Sequence, residues 1–199
     1  MSFSRSNLWD GFWINRDPKK EYQNCKESNI TMDLSSKIFQ DNNIDSLEDW
    51  GCGNCVFKEY LNKNIKYIGV DGSNTGFQDK IQDLTNYITN IDAIYLRHVL
   101  EHNNDYKEIF QNALQSFNKV LVLVLFTPFT SKNEIDILTT CELKGKIIPD
   151  IAFNKKHIMD IVENNNCSCD LIENIKSKTG YGYEQVFIIK KNSQQKFLI

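Results

Sequence analysis

The sequence has no apolar run long enough to cross a bilayer. Its longest, Val120 to Phe126, falls far short of the roughly 20 residues that a spanning helix needs. The opening stretch, Met1-Ser2-Phe3-Ser4-Arg5-Ser6-Asn7, lacks the apolar centre of a secretory signal. A soluble cytosolic chain with no membrane attachment is expected. There is no dense basic face either: the formal net charge is −3 and the isoelectric point near 5.7. Affinity built on many neutralised phosphates needs clustered Lys and Arg, so nucleic acid is disfavoured as a partner. Internal repeats and low-complexity linkers are also missing. With 199 residues, 41 % of them hydrophobic, one globular unit with a sizeable core is the simplest organisation. The six cysteines (25, 52, 55, 141, 167, 169) are scattered, and in a reducing compartment their default state is the free thiol.

What is present is alternation. After an aromatic start (Trp9, Phe12, Trp13), Asp17-Pro18 gives a helix cap followed by proline at the first helical position. Residues 1–45 read as an N-terminal helical lid, and residues 46–199 as the main domain. A strand is predicted at 46–50, a helix at 54–62, and a strand from Ile65 that ends at Asp71, together a βαβ unit. A short strand near Lys80–Gln82 and another at Ile91–Leu96 follow. Asp105-Tyr106-Lys107-Glu108 has capping-box spacing and opens a helix through Ile109, Ala113, Leu114 and Phe117. Val120 to Phe126 reads as a strand covered on both faces. Ser131-Lys132-Asn133-Glu134 is a second capping box, and Asn154 caps a helix to about Glu163. Strands at 169–175 and 183–190, joined by Gly180-Tyr181-Gly182, form an antiparallel hairpin. The fold class is α/β: a Rossmann-like, doubly wound, mostly parallel sheet with a C-terminal antiparallel hairpin and helices on both faces.

Asp49-Trp50-Gly51-Cys52-Gly53-Asn54-Cys55 lies at the first strand-to-helix turn, where two glycines let a backbone approach a ligand closely. A dinucleotide fingerprint would need a third glycine at position 56, which is Val56. The segment instead resembles motif I of the class I S-adenosylmethionine-dependent methyltransferases, with Cys55 where that family has its last glycine. Asp71 matches the family's ribose-binding acidic residue. Asp83, in Gln82-Asp83-Leu84, matches the residue that meets the adenine amino group. Ile91 to Leu96 with Arg97-His98-Val99-Leu100-Glu101-His102 is similar to the fourth strand and the turn after it, where the family often shows Val-Leu-Glu-His. The four stand in order, at family-like spacing, over roughly residues 46–190. The resemblance implies S-adenosyl-L-methionine as cofactor, held by Asp49, Gly51, Cys52, Gly53, Asp71, Gly72, Asp83, Leu84 and Leu96.

His98 follows the fourth strand, beside the expected methyl position. Its ordinary pKa near 6.5 suits a general base, and a histidine that only shapes the pocket is the competing reading. His98-Val99-Leu100-Glu101-His102 also fits the His-x-x-Glu-His pattern of inverted zinc proteases. That chemistry needs a continuous helix, and Asn103-Asn104-Asp105 breaks it. A divalent metal on His98, Glu101 and His102 is the arrangement of the small-RNA 3′-terminal 2′-O-methyltransferases, whose fourth ligand is a downstream histidine. The only counterpart here is His157, inside a predicted helix, so no metal is assigned, and Glu101 and His102 are expected to tie the turn to neighbouring backbone. Cys52-x-x-Cys55 as a redox pair is disfavoured by the flanking glycines.

The expected function is methyl transfer to oxygen or nitrogen of a small-molecule acceptor, a sugar or nucleotide sugar. The alternatives are a catalytically inactive methyltransferase-like binding subunit and a metal-assisted RNA 2′-O-methyltransferase. The N-terminal segment, with Trp9, Trp13, Arg16 and Tyr22, and the loop from Thr127 to Ile151 are expected to roof the acceptor pocket.

Overall fold

The computed structural model describes residues 15–25, 29–143 and 146–192. Trp9, Phe12 and Trp13 lie outside that set. Two helices come first, α1 (Pro18–Cys25) and α2 (Ile30–Asp41). The strands β1 (Ser46–Trp50), β2 (Lys66–Asp71), β3 (Lys80–Ile81), β4 (Ile91–Arg97) and β5 (Phe117–Leu125) follow, with α3 (Tyr106–Ser116) before β5. A two-stranded arm, β6 (Ile135–Leu143) and β7 (Lys146–Phe153), precedes α4 (Lys155–Asn164) and the hairpin β8 (Cys167–Lys176) and β9 (Tyr183–Lys191).

The main sheet has the order β3-β2-β1-β4-β5-β9-β8. Neighbours from β3 to β5 pair in parallel, whereas β9 is antiparallel to both β5 and β8. The winding reverses between β1 and β4, where an open α/β sheet leaves a crevice at the strands' carboxyl ends. Central strands are buried on both sides: from Val120 to Leu125 every residue of β5 is at most 1 % exposed. Each such Val or Leu contributes about 1.5–3 kcal/mol on removal from water.

Each face carries its own core. On one, α3 and α4 pack Ile109, Phe110, Leu114, Ile158 and Val162 against Trp50, Leu96 and Leu123. Asp105 stands at the N-cap of α3, and Asn154 caps α4 by accepting from the amides of Lys156 and His157. On the other face, α2 supplies Met32, Ile38 and Phe39 to a cluster with Phe57, Tyr60, Tyr95 and Val122.

That second face departs from the expectation of a helix at 54–62. The crossover from β1 to β2 contains only a 3-10 turn, Val56–Glu59, entered through Cys55 at φ 59°. A left-handed residue cannot lie inside an α-helix, and beyond Leu61 the run Asn62-Lys63-Asn64 is polar. The apolar residues read as a helix face, Phe57, Tyr60 and Leu61, still pack inward, and α2 covers the rest. The second capping box, Ser131 to Glu134, also opens no helix. The chain passes into β6, whose residues alternate from Ile135 to Ile137 and pair with β7. No helix among the described residues is long and apolar enough to cross a membrane.

Candidate functional site

At the carboxyl end of β1 the chain turns through Gly51 (φ 73°) and Gly53 (φ 54°). The Gly51 amide donates to the Val70 carbonyl at 2.7 Å, fixing the turn against β2. Asp71 ends β2, and its carboxylate turns back toward the glycines: Oδ2 accepts the Gly53 amide at 3.0 Å and Oδ1 the Ser73 amide at 2.8 Å. The acidic residue matched to the ribose-binding position thus stands beside Gly53 in the crevice.

Asp49 is buried within β1 and accepts the Tyr67 hydroxyl at 2.7 Å. Burial pushes its carboxyl up to about 7, against the opposing pull of that bond. Cys52 and Cys55 are buried free thiols. Both sulfurs press on Gly69, where a Cβ would lie 2.7 Å from the Cys55 Sγ and 3.1 Å from the Cys52 Sγ. The bond to Cys55 and burial raise the Cys52 thiol far above its ordinary value, so it stays neutral. A reactive redox cysteine needs the opposite environment.

A cavity of about 540 Å³ opens along this edge, within the size range of small-molecule and cofactor sites. Asp49, Gly51, Cys52, Gly53, Asp71 and Gly72 line one end, joined by Asp83, Leu84 and His98. Asp83 is exposed, and its Oδ1 accepts from both the amide and the hydroxyl of Thr85. Leu96 is the exception among the predicted residues. It is fully buried in the core under β4 and is not part of the lining. The side chain of an inward-pointing strand residue fills the interior rather than the crevice. Arg16 and Glu21 come from the N-terminal segment, and Asn54 donates to both the Arg16 carbonyl and the Glu21 carboxylate. Ile147, Ile148 and Pro149 of β7 also line the cavity, so the 127–151 segment reaches the site as a β arm.

His98 sits at the mouth of β4 in the left-handed region (φ 58°), with its amide donating to the Val124 carbonyl at 3.1 Å. A bulky residue there is a strained feature of the kind that collects at functional sites. Its ring Nε2 lies 2.6 Å from Glu184 Oε1. Sequence reasoning expects an ordinary imidazole, but burial and the adjacent Arg97 guanidinium push it down to about 4, outweighing the carboxylate's pull. His98 is therefore neutral throughout the physiological range.

Glu101 and His102 tie the turn to its surroundings. Glu101 is fully buried, and its Oε1 accepts the Phe126 amide at 2.7 Å. His102 Nδ1 lies 3.1 Å from the Pro149 carbonyl and 3.3 Å from Asp150 Oδ1. They lie in a 3-10 turn, Leu100–His102, that ends before α3 begins at Tyr106, so the continuous helix of a zinc protease does not form. His157 Nε2 meets the Tyr106 hydroxyl at 3.1 Å. Among the described residues no group of three or more His, Cys, Asp or Glu side chains could hold a metal.

Sequence reasoning missed Glu184, Arg97 and Thr31. A Glu at the head of the apolar stretch Val186 to Ile189 was the one available signal.

No protein-family model and no curated protein matches the sequence. Solved structures match its shape. The magnesium protoporphyrin IX methyltransferase of Synechocystis PCC 6803 with bound SAH superposes with a TM-score of 0.60 at 16 % identity, over 81 % of this chain and 82 % of that one. The N-terminal domain of EvdMO1, in the presence of SAH and D-fucose, gives 0.59 at 10 % identity over 80 % and 82 %. The methyltransferase domain of bacterial CtHen1-C gives 0.59 at 13 % identity over 82 % and 97 %. With the strand order, the glycine turn and the acidic end of β2 all in place, the chain has the fold of the class I S-adenosylmethionine-dependent methyltransferases.

Proposed function

We propose that this chain is an S-adenosyl-L-methionine-dependent methyltransferase acting on a small-molecule acceptor, a sugar or nucleotide sugar, at oxygen or nitrogen. The observation that carries the reading is the Asp71 carboxylate held against the Gly53 amide at one end of a 540 Å³ cavity whose lining includes His98. Asp71 is placed to accept the two ribose hydroxyls. The glycine turn at 51–53 admits the methionine portion, Asp83 and Leu84 take the adenine, and Asp49 and Gly72 complete the wall. The EvdMO1 domain, crystallised with D-fucose, supports the sugar class.

The cofactor supplies a methyl on a sulfonium, and the protein contributes alignment and exclusion of water. His98, neutral at physiological pH, is the proposed base that takes the acceptor's proton. Residues 1–45 are proposed as the lid, with Arg16 and Glu21 as its contribution to the cavity wall among the described residues. A cytoplasmic setting fits the five free cysteines among the described residues.

Calorimetry with S-adenosylmethionine and with its demethylated product tests the reading, followed by transfer of labelled methyl into a metabolite extract. Binding of both with transfer into a small molecule is expected. Binding to neither overturns it. Tight binding without transfer favours the inactive binding subunit, for which Cys55 in the position of a glycine is the argument. Transfer into RNA that chelators abolish favours the metal-assisted alternative, for which the likeness to the Hen1 domain is the argument.

A further inference from the structure

Two distant parts of the chain, one of them lining the cavity, converge on one buried carboxylate. Glu184, the second residue of β9, is 1 % exposed. Its Oε1 accepts from Arg97 Nη2 at 2.7 Å and meets His98 Nε2 at 2.6 Å, while Oε2 accepts the Thr31 hydroxyl of α2. Burial alone would raise its carboxyl, but the His98 bond and the Arg97 guanidinium outweigh burial and hold it at about 2. An ionised carboxylate only accepts hydrogen bonds. His98 Nε2 must therefore carry the ring proton, and Nδ1 keeps its lone pair. No described residue donates to Nδ1, and His98 lines the cavity.

We propose that Glu184 is a positioning residue: it fixes His98 in the Nε2–H tautomer, presents Nδ1 to the acceptor, and stabilises the imidazolium formed when Nδ1 takes the acceptor's proton. The inference rests on the methyltransferase reading above. In the step it serves, the acceptor's O–H or N–H bond breaks and its proton passes to Nδ1. The freed electron pair forms the bond to the methyl carbon, and the S–CH3 pair returns to sulfur, leaving a neutral thioether. The charges that face His98 are Arg97 and His102, both disfavouring its protonation, and Glu184, favouring it. Arg97 has a second duty here, because it keeps Glu184 ionised and so keeps the tautomer fixed. The logic is that of a catalytic triad's third member, which orients an imidazole without itself taking a proton.

Imidazole nitrogen NMR on the full chain reads the tautomer without any acceptor. Wild type is expected to show a neutral, Nε2-protonated His98 across about pH 5 to 8. Glu184→Ala should give a mixture of tautomers with S-adenosylmethionine affinity preserved within about twofold. An unchanged tautomer overturns the proposal. Should the alanine variant not fold, Glu184→Gln still decides. Its amide oxygen can serve Arg97 and His98 while its NH2 donates to Thr31, so the tautomer persists, but the bond weakens without the charge. The His98 Nε2–H proton resonance must then move upfield, and an unmoved resonance overturns the proposal. Methyl transfer by Glu184→Gln should fall about tenfold or more at unchanged cofactor KM. A merely structural Glu184 would change the melting temperature and leave the resonance in place. Absence of cofactor binding by wild type would sink the function while leaving the tautomer result to stand or fall on its own.

Discussion

Val99 stands so close to Gly51 that a Cβ on the glycine would lie 2.5 Å from Val99 Cγ2. The turn after β1 and the turn after β4 are therefore interlocked, and position 51 is closed to side chains for two reasons: the contact and its φ of 73°. Gly51→Ala should destabilise the fold by about 1–3 kcal/mol through the left-handed backbone alone. Adding Val99→Ala relieves the contact but not the backbone. Urea denaturation of the two variants should show partial recovery, and full recovery would mean that the backbone cost is negligible.

Asp71 holds two amides with its two oxygens. In Asp71→Asn one of those donors faces an NH2 group. Cofactor affinity should drop about 10- to 100-fold, the worth of one charge-assisted hydrogen bond. Calorimetry measures it, and an unchanged Kd would remove Asp71 from the binding site.

Stability should decline as pH rises from about 4 to about 8 and level off above that. Asp49 and Glu101 are raised to about 7 and about 8, chiefly by burial, whereas their unfolded values lie near about 4. The native state thus keeps protons that the unfolded chain has released. The stability these groups lend is complete below about pH 4 and disappears as pH climbs through their folded values. His98 and Glu184, both lowered, act on the acid side, where stability is lost as pH falls. Urea midpoints between about pH 6 and 8 should fall for wild type and fall less steeply in Asp49→Asn. An equal decline in both would locate the effect elsewhere.

Glu101→Gln separates a tying residue from a metal ligand. The amide oxygen can still accept the Phe126 amide, so stability near pH 7 should change by no more than about 1 kcal/mol and cofactor binding should persist. Loss of methyl transfer restored by added magnesium or manganese would instead place a metal at Glu101.

Phe39 is fully buried, with its ring 6.0 Å from those of both Phe57 and Tyr95. Phe39→Ala should cost about 3–5 kcal/mol, measured by denaturation. A loss below about 1 kcal/mol would make α2 a peripheral element rather than part of the core.

The strands were legible because buried parallel strands write themselves as apolar runs, as Val120 to Leu125 does. Gly51, Gly53, Asp71 and Asp83 were legible as neighbours along one crevice because they sit at or just past the ends of those strands. The helix read at 54–62 does not form: Phe57, Tyr60 and Leu61 have helical spacing, but Cys55 stands ahead of them in the left-handed region, with its sulfur beside Gly69. Ser131 to Glu134 carries a local helix-start signal that the pairing of β6 with β7 overrides. Glu184 was invisible as a site residue because it lies 86 positions from His98, and no local pattern reports such a meeting.

The hydrogen bond between Thr31 and Glu184 joins residues 153 positions apart. Contacts of such separation cost loop-closure entropy before they return any stabilisation, which slows folding. The anchor of His98 thus awaits the meeting of a helix with a strand synthesised 153 residues later. A nascent chain halted before β9 would have its glycine turn and Asp71 but no carboxylate to anchor the His98 imidazole.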